Sequence, residues 1–342
     1  MPEIKKTPHK TEQNKNINDI IQNFGEFVNI DEIKEINSEW LIDSFLVKNS
    51  LTMIYALAGS GKTWFVLYLA KYLLENDKIE KIFYFDADNP QRTYKQREVD
   101  KIFEFYKEKF HLVDFNASNK KSQYEFFQTL AQSDLDLQGN LFIIDSIRNF
   151  INIDFGKDHL VTKFFKDLQV LRRHGATIIY LHHQPKQYEE ENNKLYKGST
   201  AFVDSADEAY YFENKTANFD LENEKMVFTL EPQKCRDLTK PQAVVLDTKN
   251  HTFNFVDFSF YGLSHKERDT LEIAKFFIIQ SKTGIQQKEL AKKIIKEAKE
   301  NQIEILGLNA IWRLLEKYAN IYFKIEKEQF KGCSYKKYFM PL

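Results

Sequence analysis

The stretch LTMIYALAGSGKTWFVLYLA, residues 51–70, decides how the rest of the chain is read. An apolar run, LTMIYA, stops at a glycine-containing turn, and the apolar run WFVLYLAKYLL follows close behind it. Strand, tight loop and helix in that order aim consecutive backbone N–H groups at one spot before the helix, where they and the helix dipole attract a phosphate. Ala56-Leu57-Ala58-Gly59-Ser60-Gly61-Lys62-Thr63 matches GxxxxGK[ST] at every fixed position except the first, where alanine replaces glycine. Ala56 closes the strand, and a methyl group there costs little while φ stays negative. The expected phosphate-binding set is Ala58, Gly59, Ser60, Gly61, Lys62, Thr63 and Trp64. Lys62 is expected to reach the β- and γ-phosphate oxygens of ATP, and the Thr63 hydroxyl to bind Mg²⁺.

Outward from this loop the chain alternates between strand-like and helix-like segments. Strands are expected at 51–56, 81–86, 110–114, 141–145 and 176–182, with helices at 62–75, 92–106, 122–131 and 158–173 between them. Such alternation predicts an α/β fold whose mostly parallel sheet is covered on both faces. After Gly198 the segments 208–213, 225–231, 242–247 and 252–257 are β-like and separated by Asn/Lys/Thr turns, which predicts an antiparallel extension of the same sheet. Before the core, residues 1–16 are polar and lysine-rich and read as a disordered tail. Ile17, Ile20, Ile21 and Phe24, then Leu41, Ile42 and Phe45, recur at near-helical spacing, so 17–50 reads as short helices packing into the core.

A phosphate loop needs a carboxylate at the end of a buried strand to hold Mg²⁺. LFIIDS supplies Asp145 after four apolar residues. FYFDADNPQR supplies Asp86 and Asp88, two apart on an extended segment and so expected on one side of it. Either could orient a hydrolytic water, or both could cap the helix that begins near Pro90. Spacing alone does not choose between them. His182 and His183 are adjacent on a strand and are expected to point to opposite faces, which does not look like a zinc pair.

Composition narrows the setting. A chain of 342 residues with 42% hydrophobic content can bury the cores of two domains. The formal net charge of −1 hides an asymmetry: residues 264–342 hold 16 Lys/Arg against 10 Asp/Glu, a net +6, which leaves −7 for residues 1–263. Two cysteines, Cys235 and Cys333, in no metal-binding or CxxC spacing point to a reducing, cytoplasmic compartment. The N-terminus has no apolar core and no uninterrupted apolar run is long enough to span a bilayer, so no membrane association is expected.

The boundary of a second domain is placed at Gly262-Leu263-Ser264-His265, giving an ATPase domain over 51–262 and a small α+β domain over 263–342. The latter reads as helices at 266–281, 286–299 and 306–318, then β-like segments at 320–326 and 334–340 around Lys331-Gly332. That order is winged-helix-like, with LNAIWRLLEKY presented to a duplex groove. A protein-binding adaptor has the same element order; the +6 charge with Gln286, Gln287, Asn309 and Arg313 tips the reading toward DNA.

Taken together, these motifs resemble the RecA-like P-loop ATPases, and among them the branch of RepA-type hexameric replicative helicases. The resemblance spans residues 40–257, some two thirds of the chain, beginning with EWLIDSFLVKNSLTMIYALAGSGKT. YFDADNPQRTYKQR is similar to the family's motif carrying the catalytic glutamate, which implies that Asp88 orients the water, with a side chain one methylene shorter. FIIDS resembles the metal strand and assigns Asp145 to Mg²⁺. IIYLHHQPK resembles a His-His-x-x-Lys segment in which the second histidine, here His183, senses the γ-phosphate. LEPQKCRD resembles a Lys-x-Arg strand end, which implies that Lys234 and Arg236, on one strand face, reach a neighbouring subunit's nucleotide. KGSTAFVDSADEAYYF is similar to the family's Gly-Ser segment. In the hexameric helicases the preceding polar stretch, here with Lys186, Tyr188, Lys194, Tyr196 and Lys197 but also Glu189, Glu190 and Glu191, lines a central channel for single-stranded DNA.

The resemblance implies an ATP- and Mg²⁺-dependent homo-oligomer, a hexamer with nucleotide sites between subunits. It would act on DNA, single-stranded at the core and duplex at the C-terminal domain, as a helicase of a plasmid- or phage-type element. The other reading is an ATP-dependent DNA-binding switch without unwinding activity.

Overall fold

The structure is a computed structural model, and it describes residues 17–22, 25, 27–35, 37–115, 123–151, 158–184, 200–216, 224–319, 321–330 and 333–339. The chain divides into two units, Met1–Glu39 and Trp40–Leu342. In the first, helix α1 (Ile17–Gln22) and a 3-10 turn (Glu32–Glu35) are the described elements. Of the apolar residues expected to pack, Ile17 and Ile21 have exposed side chains, and the side chains of Ile20 and Phe24 lie outside the described residues. Leu41, Ile42 and Phe45, unlike Ile17 and Ile21, are not helical. They belong to a two-stranded hairpin of β1 (Trp40–Ile42) and β2 (Leu46–Val47), in which Leu41, Phe45 and Leu46 are buried. Spacings of three and four residues are produced equally well by a tight hairpin whose turn folds inward.

The second unit carries β3 (Leu51–Ala56), α2 (Lys62–Glu75), β4 (Lys81–Asp86), α3 (Gln91–Gln96), α4 (Val99–Ile102), β5 (Phe110–Asp114), α5 (Gln123–Ala131) and β6 (Asn140–Asp145). It continues with α6 (Asp158–Arg173), β7 (Thr177–His183), α7 (Ala201–Asp204), β8 (Glu208–Asn214), β9 (Lys225–Lys234), β10 (Gln242–Asp247) and β11 (Thr252–Val256). These strands form one nine-stranded sheet in the order β11-β10-β9-β8-β3-β7-β6-β4-β5. The six strands from β8 to β5 are parallel and β9 to β11 extend them antiparallel, as the pattern predicted. The expected single helix over 92–106 is instead α3, α4 and a 3-10 turn. The chain breaks at Glu98, whose φ of 51° no α-helix accommodates.

The strand β3 shows why the core is two-sided. Ile54 and Ala56 join a hydrophobic cluster with Phe65, Leu69 and Leu73 of α2, whereas Leu51, Met53 and Tyr55 join a second with Phe127 of α5 and Phe164 and Leu168 of α6. A period of two on a fully buried strand requires that division. The site is fixed by register: Ala56 lies beside His183, and Asp86 beside Asp145. The tips of four parallel strands thus meet at one edge of the sheet, the edge at which open α/β sheets bind ligands.

Beyond a short helix α8 (Phe258–Gly262), helix α9 (His265–Gln280) starts in a capping box in which Ser264 and Glu267 satisfy each other's backbone N–H groups. Then come β12 (Ile285–Gln286), α10 (Gln287–Glu300), α11 (Leu308–Lys317), β13 (Lys324–Phe330) and β14 (Cys333–Phe339), the strands forming a sheet of order β12-β14-β13. These elements have their own buried cluster, which also takes in Ala243 and Phe258. No helix among the described residues is long and apolar enough to cross a membrane.

Candidate functional site

The loop after β3 enters α2 through Gly61 at φ 94° and ψ 13°, while Gly59 also has positive φ, 76°. Both conformations favour glycine, and at Gly61 a Cβ would stand 3.0 Å from the Phe228 ring. The first backbone bond of the helix runs from the Phe65 N–H to the Gly61 carbonyl, 3.0 Å. The N–H groups of Lys62, Thr63 and Trp64 are therefore helix-start donors, free of intrahelical carbonyls. The Trp64 side chain packs away on the α2 face, its ring 6.1 Å from Tyr68.

Lys62 is buried, and its Nζ donates to the carbonyls of Leu57 (2.9 Å) and Ala56 (3.3 Å), folding back over the loop. Burial pushes its pKa down to about 8, against the opposing pull of Asp145 and Asp88. The Thr63 hydroxyl donates to Asp145 Oδ2 at 2.8 Å. The same oxygen accepts from the Tyr84 hydroxyl at 2.7 Å and from the Asn89 amide at 3.3 Å. These donors fix the Asp145 carboxylate opposite the Thr63 hydroxyl.

The two aspartates that spacing could not separate have different places. Asp86 is fully buried at the tip of β4. Its Oδ1 accepts the backbone N–H groups of Asp88 (2.8 Å) and Asn89 (2.9 Å), and its Oδ2 the Asn89 amide (2.9 Å). Burial and Asp145 raise its pKa to about 6 despite those bonds. Asp86 is thus spent on capping a bend rather than a helix, and Asp88 lies on that bend instead of sharing a strand face with it. The Asp88 side chain is 45% exposed and faces the loop, with Oδ1 accepting from Asn149 Nδ2 (3.1 Å) and Oδ2 3.9 Å from His183 Nε2.

His183 lies at the end of β7, and burial, then Lys62, lower its pKa against the pull of Asp88 and Asp145. The ring is neutral at neutral pH. Its Nδ1 is buried with no hydrogen-bond partner among the described residues. His182 points the other way and stacks on Phe202 with ring centres 4.2 Å apart, as adjacent strand positions require.

The structure does not bring Lys234 or Arg236 to this chain's own phosphate loop. β8 runs parallel to β3 and β9 antiparallel to β8, so Lys234, paired with Ala209, stands at the opposite end of the sheet. Lys234 Nζ donates to the carbonyls of Val203 (2.9 Å) and Asp204 (2.7 Å). β9 ends at Lys234, so Arg236 lies beyond the strand and not on a shared strand face. It pairs with Asp207 Oδ1 at 2.7 Å, and Asp207 also holds Arg172 (2.6 Å) and the Leu51 N–H (2.8 Å). Lys186, Tyr188, Glu189, Glu190, Glu191, Lys194, Tyr196 and Lys197 lie outside the described residues.

Tyr84, Asn89 and Asn149 were not among the expected site residues. A tyrosine within an apolar strand two residues before Asp86 is the one sequence hint for Tyr84. Asn149, in a 3-10 turn (Ile147–Phe150) after Asp145, offers none.

The chemistry of the donors fits Mg²⁺ carried in with a nucleotide. Thr63 and Asp145 supply two hard oxygens, and the Ser60 hydroxyl in the loop and the Ser146 hydroxyl beside Asp145 are buried without partners among the described residues. Among the described residues no cluster of three His, Cys, Asp or Glu could hold a metal by itself. A phosphate cradle on the central strand of this sheet, with a carboxylate two strands away, defines a RecA-like P-loop ATPase, an ATP-hydrolysing enzyme. Residues 27–189 match the family model described as AAA domain. Solved structures similar to this chain include an ATPase domain, at 15% identity over 72% of this chain and 99% of that one, TM-score 0.49. Another is a KaiC-like protein of the hyperthermophilic archaeon Pyrococcus horikoshii OT3, at 16% identity over 62% and 91%, TM-score 0.44. No curated protein matches the sequence.

Proposed function

We propose that the chain is an ATP- and Mg²⁺-dependent motor that assembles into a ring, a hexamer by the motif resemblance, and acts on DNA as a helicase. The observation that carries this reading is the position of Lys234 and Arg236. Lys234 is level with Met53, about 10 Å along β3 from Ala56 at the cradle, and Arg236, held on Asp207 beside Leu51, is about 17 Å from it by the rise of strand residues. Cations at that end point away from this chain's own phosphates, which supports a role in the site of an adjacent subunit and would tie turnover to assembly.

In the proposed reaction Lys62 exchanges the Leu57 and Ala56 carbonyls for phosphate oxygens, and the N–H groups from Gly59 to Trp64 cradle the β-phosphate. Thr63 and Asp145 hold Mg²⁺, which when bound neutralises charge on the β- and γ-oxygens. Asp88 orients the attacking water, and neutral His183 donates toward the γ-phosphate and registers its loss. Arg236 leaves Asp207 to stabilise charge in the neighbour's site. The C-terminal helices with the β13–β14 hairpin serve as a winged-helix module on duplex DNA, in line with the +6 charge of residues 264–342.

The test is ATP turnover with and without single-stranded DNA, together with mass in solution and displacement of a labelled strand. A motor shows a multimer, stimulated turnover and unwinding; a monomer under all conditions overturns the reading. A second reading, a nucleotide-dependent DNA-binding switch, is favoured by the short Asp88 side chain, and slow turnover with no strand displacement selects it.

A further inference from the structure

Asp88 has a problem of position. Its carboxylate is one methylene shorter than a glutamate, sits on a bend past the strand tip, and is 45% exposed, so its own packing does not fix it. The Asn149 side chain meets that need. Its Nδ2 donates to the Ala87 carbonyl at 3.0 Å and to Asp88 Oδ1 at 3.1 Å. Both partners are acceptors, so the amide orientation is dictated: only the NH₂ group can serve them. Asn149 is itself anchored, since Ile147 and Phe150 on either side are fully buried and its N–H donates to the Ser146 carbonyl at 3.0 Å. With Oδ1 held, Oδ2 is left 3.9 Å from His183 Nε2, too far for a hydrogen bond and free to accept from a water.

We infer that Asn149 is a positioning residue for ATP turnover, which fixes the Asp88 carboxylate with one oxygen held and the other presented to the attacking water. The inference rests on the reading of Asp88 as the water-orienting group. It also links the strand-end loop of Asp145 directly to the bend of Asp88, so the two carboxylates keep a set separation.

The test compares wild type, Asn149→Ala, Asp88→Ala and the double variant in steady-state ATP hydrolysis, with affinity for a fluorescent N-methylanthraniloyl ATP measured alongside. Loss of orientation alone lowers kcat by on the order of 10- to 100-fold. Nucleotide affinity stays within about 2-fold, because no group in the cradle is touched. In the Asp88→Ala background, Asn149→Ala has no further effect on kcat, since the group it positions is gone. The near-isosteric Asn149→Asp, which replaces the donor with a like charge, loses at least as much kcat as the alanine, so the result does not depend on one variant folding. Unchanged kcat in Asn149→Ala while Asp88→Ala is inactive overturns the positioning role and leaves the reading of Asp88 intact. An undiminished loss in the double variant, or a matching loss of nucleotide affinity, makes Asn149 merely structural and overturns the role as well. Wild-type turnover in Asp88→Ala overturns the reading of Asp88 itself and, with it, the inference.

Discussion

Gly61→Ala probes the junction of the phosphate loop with the core more sharply than any change to a charged group. Gly61 sits at φ 94° and ψ 13°, in the left-handed region, so an L-residue there costs about 1–2 kcal/mol in backbone strain. The added methyl also meets Phe228 Cε1 at 3.0 Å and Cζ at 3.1 Å. That ring is fully buried, with Phe212 4.9 Å and Phe65 6.3 Å away by ring centres, and has little room to yield. Overpacking of this kind adds about 1–3 kcal/mol, for a total of about 2–5 kcal/mol. Gly59→Ala is the internal control: its φ is 76°, but nothing lies within 4 Å of the new methyl, so only the backbone strain of about 1–2 kcal/mol applies. Denaturant unfolding without nucleotide should rank Gly61→Ala well below Gly59→Ala, and Phe228→Leu should recover part of the loss when combined with Gly61→Ala but not with Gly59→Ala. Equal destabilisation of the two glycine variants, or additivity with Phe228→Leu, refutes the packing of the loop against β9.

Two further perturbations have signs set by the structure. Glu208 is fully buried at the start of β8, and burial first, then Asp207 and Asp237, raise its pKa from 4.5 to about 7. The folded state then binds more protons than the unfolded one between those values, so stability falls as pH rises from 4.5 through 7. Glu208→Gln should raise the unfolding temperature at pH 8, by up to about 3 kcal/mol of stability, and leave it nearly unchanged at pH 4; an equal effect at both pH values contradicts the burial. Tyr84→Phe removes the 2.7 Å bond to Asp145 Oδ2 and should raise the Mg²⁺ concentration for half-maximal turnover by about 10-fold. An unchanged Mg²⁺ titration at saturating ATP counts against Asp145 as the metal carboxylate.

Most of the central sheet was legible because its signals are local. LTMIYA and LFIID are too continuously apolar for anything but buried strands, and the alternation with helices sets their direction. The site divides along the same line. The cradle lies on consecutive residues, and His183 falls beside Ala56 because β3 and β7 pair in register. The choice between Asp86 and Asp88, by contrast, depends on an Asn89 amide that folds back on Asp86, and Asn149 reaches Asp88 from 61 positions away, so no spacing rule reports either. The hairpin at Leu41 and Phe45 misread as helix for a related reason: a short inward-folding turn repeats apolar residues at helical intervals.

The central claim is that one subunit's Lys62 and its neighbour's Arg236 share a site, and mixing two inactive variants tests it directly. Lys62→Ala and Arg236→Ala, each without turnover alone, should regain activity when equimolar subunits are mixed. In random assemblies about a quarter of the interfaces pair an intact cradle with an intact arginine. Full turnover by Arg236→Ala alone, or a mixture that forms mixed assemblies yet stays as inactive as its components, contradicts the shared site.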